Sequence, residues 1–349
     1  MLENKFSKIS SIIQDAKKGK MFILVDDKNR ENEGDLIIPG SKCNSKSINF
    51  MAKHGRGLIC LALTKKQIDN LKIPLMSPIN KSRMQTAFTV SIEAKKGITT
   101  GISAQDRAKT IQIAIDPKTK KKDIVSPGHV FPLVARQGGV LERAGHTEAS
   151  VDIAKLSKLN PSSVICEVMN EDGRMARLKD LFKFSIKHKI KLASIEDLIS
   201  HRLKYEKLIS RINSKTSTID KNGKIQIYSY KNKLGNNINF AITKGKLRPN
   251  NSTPVRVLST KIKHKNILNN DVIKKSLKLL SKHKYFLLLI INNNNLKDNS
   301  SNTLRYYGIG AQIIKDLKVK NMILISRKVK KIIGLEGFGL KIRQQKIIK

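Results

Sequence analysis

Acidic residues are scarce in this chain: 27 Asp+Glu stand against 69 Lys+Arg in 349 residues, a formal net charge of +42. The three cysteines, Cys43, Cys60 and Cys166, exclude a paired disulfide framework and show no Cys-x-x-Cys metal spacing. They fit a reducing, cytoplasmic setting. There is no Trp and aromatics are 5% of the chain, so stacking platforms for single-stranded nucleic acid are thin. The longest clean apolar run, residues 286–291, is far short of the roughly 20 residues that span a bilayer. Residues 1–20 hold no apolar core of a secretory signal. A membrane role is therefore not expected. With 39% apolar residues there is ample material for a core, and the length predicts two domains.

The positive charge is uneven. Residues 1–200 carry 35 Lys+Arg against 21 Asp+Glu (net +14), and residues 201–349 carry 34 against 6 (net +28). A basic half invites a nucleic-acid reading. The lysines, however, are scattered among Asn and Ile rather than gathered in a stripe, and the joint excess of Lys, Asn and Ile also fits an AT-rich genome. Nucleic acid is not the expected partner.

The first two hundred residues alternate strand-like and helix-like stretches, which reads as an α/β or α+β domain. Strands are expected at 21–25, 57–63, 87–93 and 164–169. Helices are expected at 108–115, capped by Ser103 and stopped by Pro117, at 175–188, and from 194 to about 212. Residues 213–218 read as a linker, so the domains are drawn at 1–205 and 206–349. The second is a smaller α/β unit with strands at 225–230, 238–243, 255–259, 286–291 and 321–325. Helices are expected there at 271–282 and 309–317, and a basic, partly ordered tail from Arg327.

Against this background one segment stands out. Asp26-Asp27-Lys28-Asn29-Arg30-Glu31-Asn32-Glu33-Gly34-Asp35 holds five carboxylates in ten residues, directly after the apolar run 21–25. Clustered carboxylates raise one another's pKa unless a cation sits among them. An all-oxygen cluster suits a hard divalent ion better than zinc. A solvated acidic turn is the plainer alternative. Four further segments carry chemistry-bearing residues. Ser126-Pro127-Gly128-His129-Val130-Phe131-Pro132 puts a His in a stiff turn, where it is either an acid/base group or merely solvated. Arg143-Ala144-Gly145-His146-Thr147-Glu148 has Thr147 as a helix N-cap and Arg143 as a phosphate clamp. His146 there is a metal ligand or a second cap. Glu167 is a carboxylate in an apolar strand, either buried with a raised pKa or facing solvent. Thr99-Thr100-Gly101-Ile102-Ser103 is a hydroxyl-rich turn before a helix.

Together these segments resemble the 3,4-dihydroxy-2-butanone 4-phosphate synthases of riboflavin biosynthesis. The match runs through residues 26–35, 99–103, 127–132, Gly138-Gly139-Val140-Leu141, 145–149 and Cys166-Glu167, in family order over about 6–205. Ala144 stands where some members have Gly. The resemblance implies a lyase that converts D-ribulose 5-phosphate into 3,4-dihydroxy-2-butanone 4-phosphate and formate. It implies Mg²⁺ or Mn²⁺ as cofactor, up to two ions per site, and a homodimer with active sites at the subunit interface. Glu31 and His146 are then the metal ligands. Arg30, Glu31, Asp35, Arg143, Ala144, Gly145, His146, Thr147 and Glu167 contact the sugar phosphate, and His129 and Glu167 are the acid/base pair.

The second half resembles GTP cyclohydrolase II through Val255-Arg256-Val257, the segment 304–314 and the segment 331–340. The chemistry of that family is missing. It needs three cysteines for zinc, and no Cys follows Cys166. Leu258-Ser259-Thr260-Lys261 stands where the first zinc ligand belongs, and a polar tract around 292–301 replaces the family's Arg-rich phosphate-binding segment. Without zinc no hydroxide is generated. This half is expected to be a degenerate, non-catalytic domain. The alternatives are residual GTP chemistry at another metal site and a basic RNA- or partner-binding module.

Overall fold

The structure is a computed structural model and describes residues 5–28, 30–218, 223–233, 237–262, 267–292, 300–328 and 338–348. The chain forms two compact units, Met1–Ile199 and Ser200–Lys349. The division falls just ahead of residue 205, inside the last helix of the first half. No helix of the described residues is long and apolar enough to cross a membrane.

In chain order the first part forms α1 (Ile9–Lys17), β1 (Phe22–Val25), β2 (Gly34–Pro39), α2 (Ser45–Phe50), β3 (Cys60–Thr64), α3 (Lys65–Leu71), β4 (Ile92–Ala94), α4 (Ala104–Ile115), β5 (Ile124–Ala135), α5 (His146–Leu156), β6 (Ser162–Glu167), α6 (Leu178–His188), β7 (Lys191–Ser194) and α7 (Ile195–Tyr205). Its strands make one mixed sheet of order β4-β5-β3-β6-β2-β1-β7. Alternation along β2 and β6 sorts their side chains to two faces. Leu36, Ile38, Val164 and Cys166 join a core with Ile48 of α2, Ile111 of α4 and Leu181 of α6. Asp35, Ile37, Ile165 and Glu167 are left for the other face.

Helix α5 covers that second face. Val151 packs with Ala62 and Ala135, and Ser163 Oγ donates to the Ser150 carbonyl at 2.9 Å. Small side chains on both surfaces let helix and sheet approach closely, and every residue of α5 from His146 to Ala154 is buried. Two of those residues are acids, and each has found donors. Glu148 accepts from the Arg136 N–H at 3.1 Å and from Arg143 Nη1 at 2.7 Å. Asp152 accepts from the Val140 N–H at 2.8 Å.

The second unit forms β8 (Ile209–Thr218), β9 (Lys224–Asn232), β10 (Ile238–Lys244), β11 (Ser252–Thr260), α8 (Asp271–Leu280), β12 (Phe286–Asn292), α9 (Ser300–Asp316), β13 (Asn321–Ser326) and β14 (Lys341–Ile347). Its sheet has the order β14-β13-β11-β12-β10-β9-β8. The apolar run at 286–291 is its central strand, covered on both faces. Leu287, Leu289 and Ile291 meet Ile309 and Ile313 of α9, while Leu288 and Ile290 meet Ile273 and Leu277 of α8.

The mixed α/β class and most elements agree with the sequence reading, and four local expectations do not. Residues 87–91 make isolated bridges instead of a strand, because Pro132 opposite has no N–H to continue the ladder. The stiff turn at 126–132 lies within β5. The helix from 194 stops at Tyr205 rather than 212. The expected linker 213–218 is part of β8, an almost wholly exposed edge strand. Its Ser and Thr residues are compatible with a solvated edge, and β9 supplies the pairing that no local pattern reveals. The basic tail likewise adds β14 to the sheet. His264, residues 293–299 and residues 331–337 lie outside the described residues.

Candidate functional site

The acidic run is the loop between the antiparallel strands β1 and β2, closed by the pair Val25↔Gly34. Asp26 organises it. Its Oδ1 accepts from the Glu33 N–H at 2.9 Å, and its Oδ2 accepts from the Glu31 N–H at 3.2 Å and from Arg30 Nη1 at 2.7 Å. Arg30 also bonds the Glu31 carboxylate. From outside the loop, Arg177 Nη1 donates to the carbonyls of Glu31 at 2.8 Å and Asn32 at 2.7 Å. The run is therefore a braced loop rather than a solvated turn, and it presents Glu31 toward the N-terminus of α5, where the helix dipole favours negative charge.

At that terminus His146 is the first helical residue and is buried. Its Nδ1 lies 3.8 Å from Glu31 Oε2 and 3.7 Å from Asp35 Oδ1. One ligand atom each from Asp26, Glu31 and His146 falls within 4.8 Å of the others. Burial lowers the His146 pKa against the raising pull of Asp26. Asp35 and Glu167 face each other across β2 and β6. Burial first, then Glu167 and Glu31, push the Asp35 carboxyl well above the usual carboxylate range. Glu167 is also raised by burial, although the Leu58 N–H donates to its Oε2 at 2.9 Å. Glu33 is raised by burial and by Glu31.

Two buried atoms at the centre have no hydrogen-bond partner: Asp35 Oδ1 and His146 Nε2. An unmet buried polar atom costs about 1–3 kcal/mol. A divalent cation answers the crowding of carboxylates and offers the orphaned atoms a partner. Carboxylate oxygens with one imidazole and no thiolate form a donor set suited to Mg²⁺ or Mn²⁺. The residues present therefore fit such an ion. The family resemblance names Glu31 and His146 as ligands; the structure brings Asp26 beside them, and its only signal in the sequence is its place as the first acid after a buried strand. Arg177 carries no signal, being 146 and 145 residues from its partners Glu31 and Asn32 in sequence.

The turn before α5 differs from expectation in two respects. Gly145 is the N-cap residue, and Thr147 is buried in the first turn instead of capping it. Arg143 is not a free clamp. Besides Glu148, its guanidinium donates through Nη2 to the Met84 carbonyl at 3.0 Å and to Thr86 Oγ1 at 2.9 Å. Ala144 is partly exposed beside it.

His129 stands apart from this cluster within the chain. The registers Asp35↔Glu167, Cys60↔Ile165 and Cys60↔Phe131 place it level with Asp35 but three strands away, on the order of 15 Å at normal strand spacing. Its neighbour is a residue the sequence reading passed over: His129 Nδ1 lies 2.5 Å from Glu93 Oε1. The Thr99 turn is close by. Asp106 holds it through Thr99 Oγ1 at 2.7 Å and the Gly101 N–H at 3.0 Å.

Comparison with known proteins places these features in context. A family model described as 3,4-dihydroxy-2-butanone 4-phosphate synthase matches residues 10–201, and one described as GTP cyclohydrolase II matches residues 276–346. The chain is 42% identical to the riboflavin biosynthesis protein RibBA of Aquifex aeolicus, over 99% of this chain and 93% of that one. It resembles the crystal structure of RibBX, a two-domain 3,4-dihydroxy-2-butanone 4-phosphate synthase from A. baumannii, with a TM-score of 0.82 and 37% identity over 98% of this chain and 99% of that one. A 3,4-dihydroxy-2-butanone 4-phosphate synthase in complex with two magnesium ions matches with a TM-score of 0.55 and 38% identity, over 57% of this chain and 98% of that one.

Proposed function

We propose that this chain, which belongs to the 3,4-dihydroxy-2-butanone 4-phosphate synthase family, is a lyase that converts D-ribulose 5-phosphate into 3,4-dihydroxy-2-butanone 4-phosphate and formate, dependent on Mg²⁺ or Mn²⁺. One observation carries the reading. The acidic loop brings Glu31 and Asp35 within 4 Å of His146 at the start of α5, Glu167 pairs with Asp35 across β2 and β6, and Asp35 Oδ1 and His146 Nε2 lack partners. Glu31 and His146 hold the ion, with Asp26 beside them. The family structure with two magnesium ions supports room for up to two per site. When bound, the ion supplies positive charge where negative charge develops as a carbon-bound proton leaves the ketose.

The chain's own groups do the rest. Arg30 and Asp26 fix Glu31, Asp35 contacts the sugar phosphate, and Glu167, opposite Asp35 across β2 and β6, is an acid/base group placed to move a proton to a departing hydroxyl. The helix start capped by Gly145 offers the backbone N–H groups of His146 and Thr147 to the phosphate. Arg143 and Ala144 shape that turn. His129 acts as the second acid/base group. Because it lies too far from Glu31 within one chain, a compact substrate meets it only if a second copy contributes it, which supports a homodimer with sites at the interface. The enzyme works in the cytoplasm, consistent with three unpaired cysteines. The C-terminal unit is non-catalytic, since no Cys follows Cys166 to hold zinc.

The test is formate release by the purified full-length protein, assayed separately with D-ribulose 5-phosphate and with GTP. Metal-dependent formate from the sugar phosphate alone is expected. Formate from GTP, or turnover that survives exhaustive EDTA treatment, overturns the corresponding half of the reading.

A further inference from the structure

We propose that Glu93 is the positioning residue for His129, holding the proton on Nδ1 so that Nε2 is the nitrogen that exchanges protons with substrate. The inference rests on the reading that His129 moves protons. It assigns a role to a residue outside the metal cluster.

The local backbone is built to bring the two side chains together. Between β4 and β5 the register runs Ile92↔Val130 and then Glu93↔Val125, so Ser126, Pro127, Gly128 and His129 form an insertion in the ladder. Bulges of this kind re-aim side chains beside functional sites. Ser91 pins the insertion: it accepts from Ser126 Oγ at 2.6 Å through its carbonyl and from the Gly128 N–H at 3.1 Å through its hydroxyl. Glu93 is fixed from its other side. A Cβ at Gly101, where φ is +92°, would fall 1.6 Å from Glu93 Oε1. Only glycine lets the Thr99 turn lie against the carboxylate. Asp106, bonded to that turn at three points, keeps it there.

The Glu93 side chain is 14% exposed and that of His129 is 44% exposed, so a sheltered carboxylate backs an accessible imidazole. A carboxylate oxygen at 2.5 Å from Nδ1 accepts a proton and cannot donate one when ionised. The neutral ring therefore carries its hydrogen on Nδ1 and its lone pair on Nε2, where it can accept a proton from substrate. Substitution by Gln reverses this logic. The amide can donate to Nδ1 and so favour the other tautomer.

The experiment uses the full-length protein with Mg²⁺ and D-ribulose 5-phosphate, comparing E93Q, E93D, H129A and E93Q/H129A. For E93Q, kcat should fall about 10²-fold with KM changed less than about threefold, and the double variant should be no slower than H129A. E93D keeps the charge and should recover part of the loss. In parallel, ¹⁵N-histidine NMR should show an Nδ1–H tautomer for the resonance that disappears in H129A, and E93Q should shift it. Equal losses in E93Q and E93D would mean packing alone and overturn the proposal. So would an inactive H129A beside a fully active E93Q, or an unchanged tautomer in E93Q. A fully active H129A removes the underlying proton-transfer reading instead, and the tautomer measurement still decides whether Glu93 orients the ring.

Discussion

Glu31 is braced through its neighbours but leaves its own carboxylate facing His146, which makes it the sharpest single-residue test. Glu31→Gln keeps the size and removes the charge. Formate release should fall at least about 10²-fold, while the unfolding free energy stays within about 0.5 kcal/mol of wild type. Added Mg²⁺ should restore EDTA-treated wild type but not this variant. Arg143 behaves differently. Its side chain and that of Glu148 are 16% and 1% exposed, and removing one partner of a buried pair costs about 3 kcal/mol. Arg143→Ala should therefore lower the urea midpoint as well as raise KM. An unchanged midpoint would show that Glu148 is satisfied by the Arg136 N–H alone. At this scale the sequence was legible where chemistry clusters in a short window, as in residues 26–35. It was silent where the partner is remote, as for Glu93 with His129 or Arg177 with the Glu31 carbonyl.

Among the elements, the approach to β3 sets the position of Glu167. A Cβ on Gly57 would lie 2.6 Å from both the Glu167 carbonyl oxygen and its Oε2. Gly57→Ala should cost about 1–3 kcal/mol and lower kcat by displacing that carboxylate, with Mg²⁺ affinity unchanged, as calorimetry of the variant would show. Helix α5 illustrates why element type was easier to read than element role. Its apolar spacing marks a helix, but burial of nearly every residue, including Glu148 and Asp152, depends on the Ala and Ser residues that β3, β5 and β6 turn toward it. Residues 213–218 show the reverse. A polar, Ser- and Thr-rich stretch has no core face to announce a strand, and only the ladder to β9 makes it one.

For the whole molecule, the expected activity belongs to the first unit. A chain ending at Tyr205 should keep formate release from D-ribulose 5-phosphate. It should melt lower or be less soluble, because Leu203, which packs on Gly308, and the Leu203 carbonyl, which accepts from Gln312 Nε2 at 2.8 Å, lose their partners. The full-length protein should hold no stoichiometric zinc by elemental analysis. All three thiols lie buried in the first unit. Burial pushes Cys43 up to about 12 and raises Cys60 and Cys166 as well. A thiol reagent at pH 8 should thus label none of them in the native protein and all three in denaturant. Labelling during a slow melt then reports the opening of that unit alone. Fast native labelling of any one would contradict the packing described.

The sequence by itself determined the residue types available for chemistry, the family to which their order belongs, and the lack of zinc thiolates in the second half. These are properties of composition and short spacing, and folding cannot alter them. It also determined the elements marked by a clean apolar run, such as 21–25 and 286–291, or by a cap and a stop, such as the helix at 108–115. Tertiary structure alone decided which distant segments became neighbours. The facing of Asp35 and Glu167 follows from the β2/β6 register, and the separation of His129 from Glu31 follows from the strand order β5-β3-β6-β2. The binding of His129 to Glu93 follows from a four-residue insertion in one ladder. Strand register is set by the packing of a whole sheet against α5 on one face and α2, α4 and α6 on the other, and no window of local sequence contains that information.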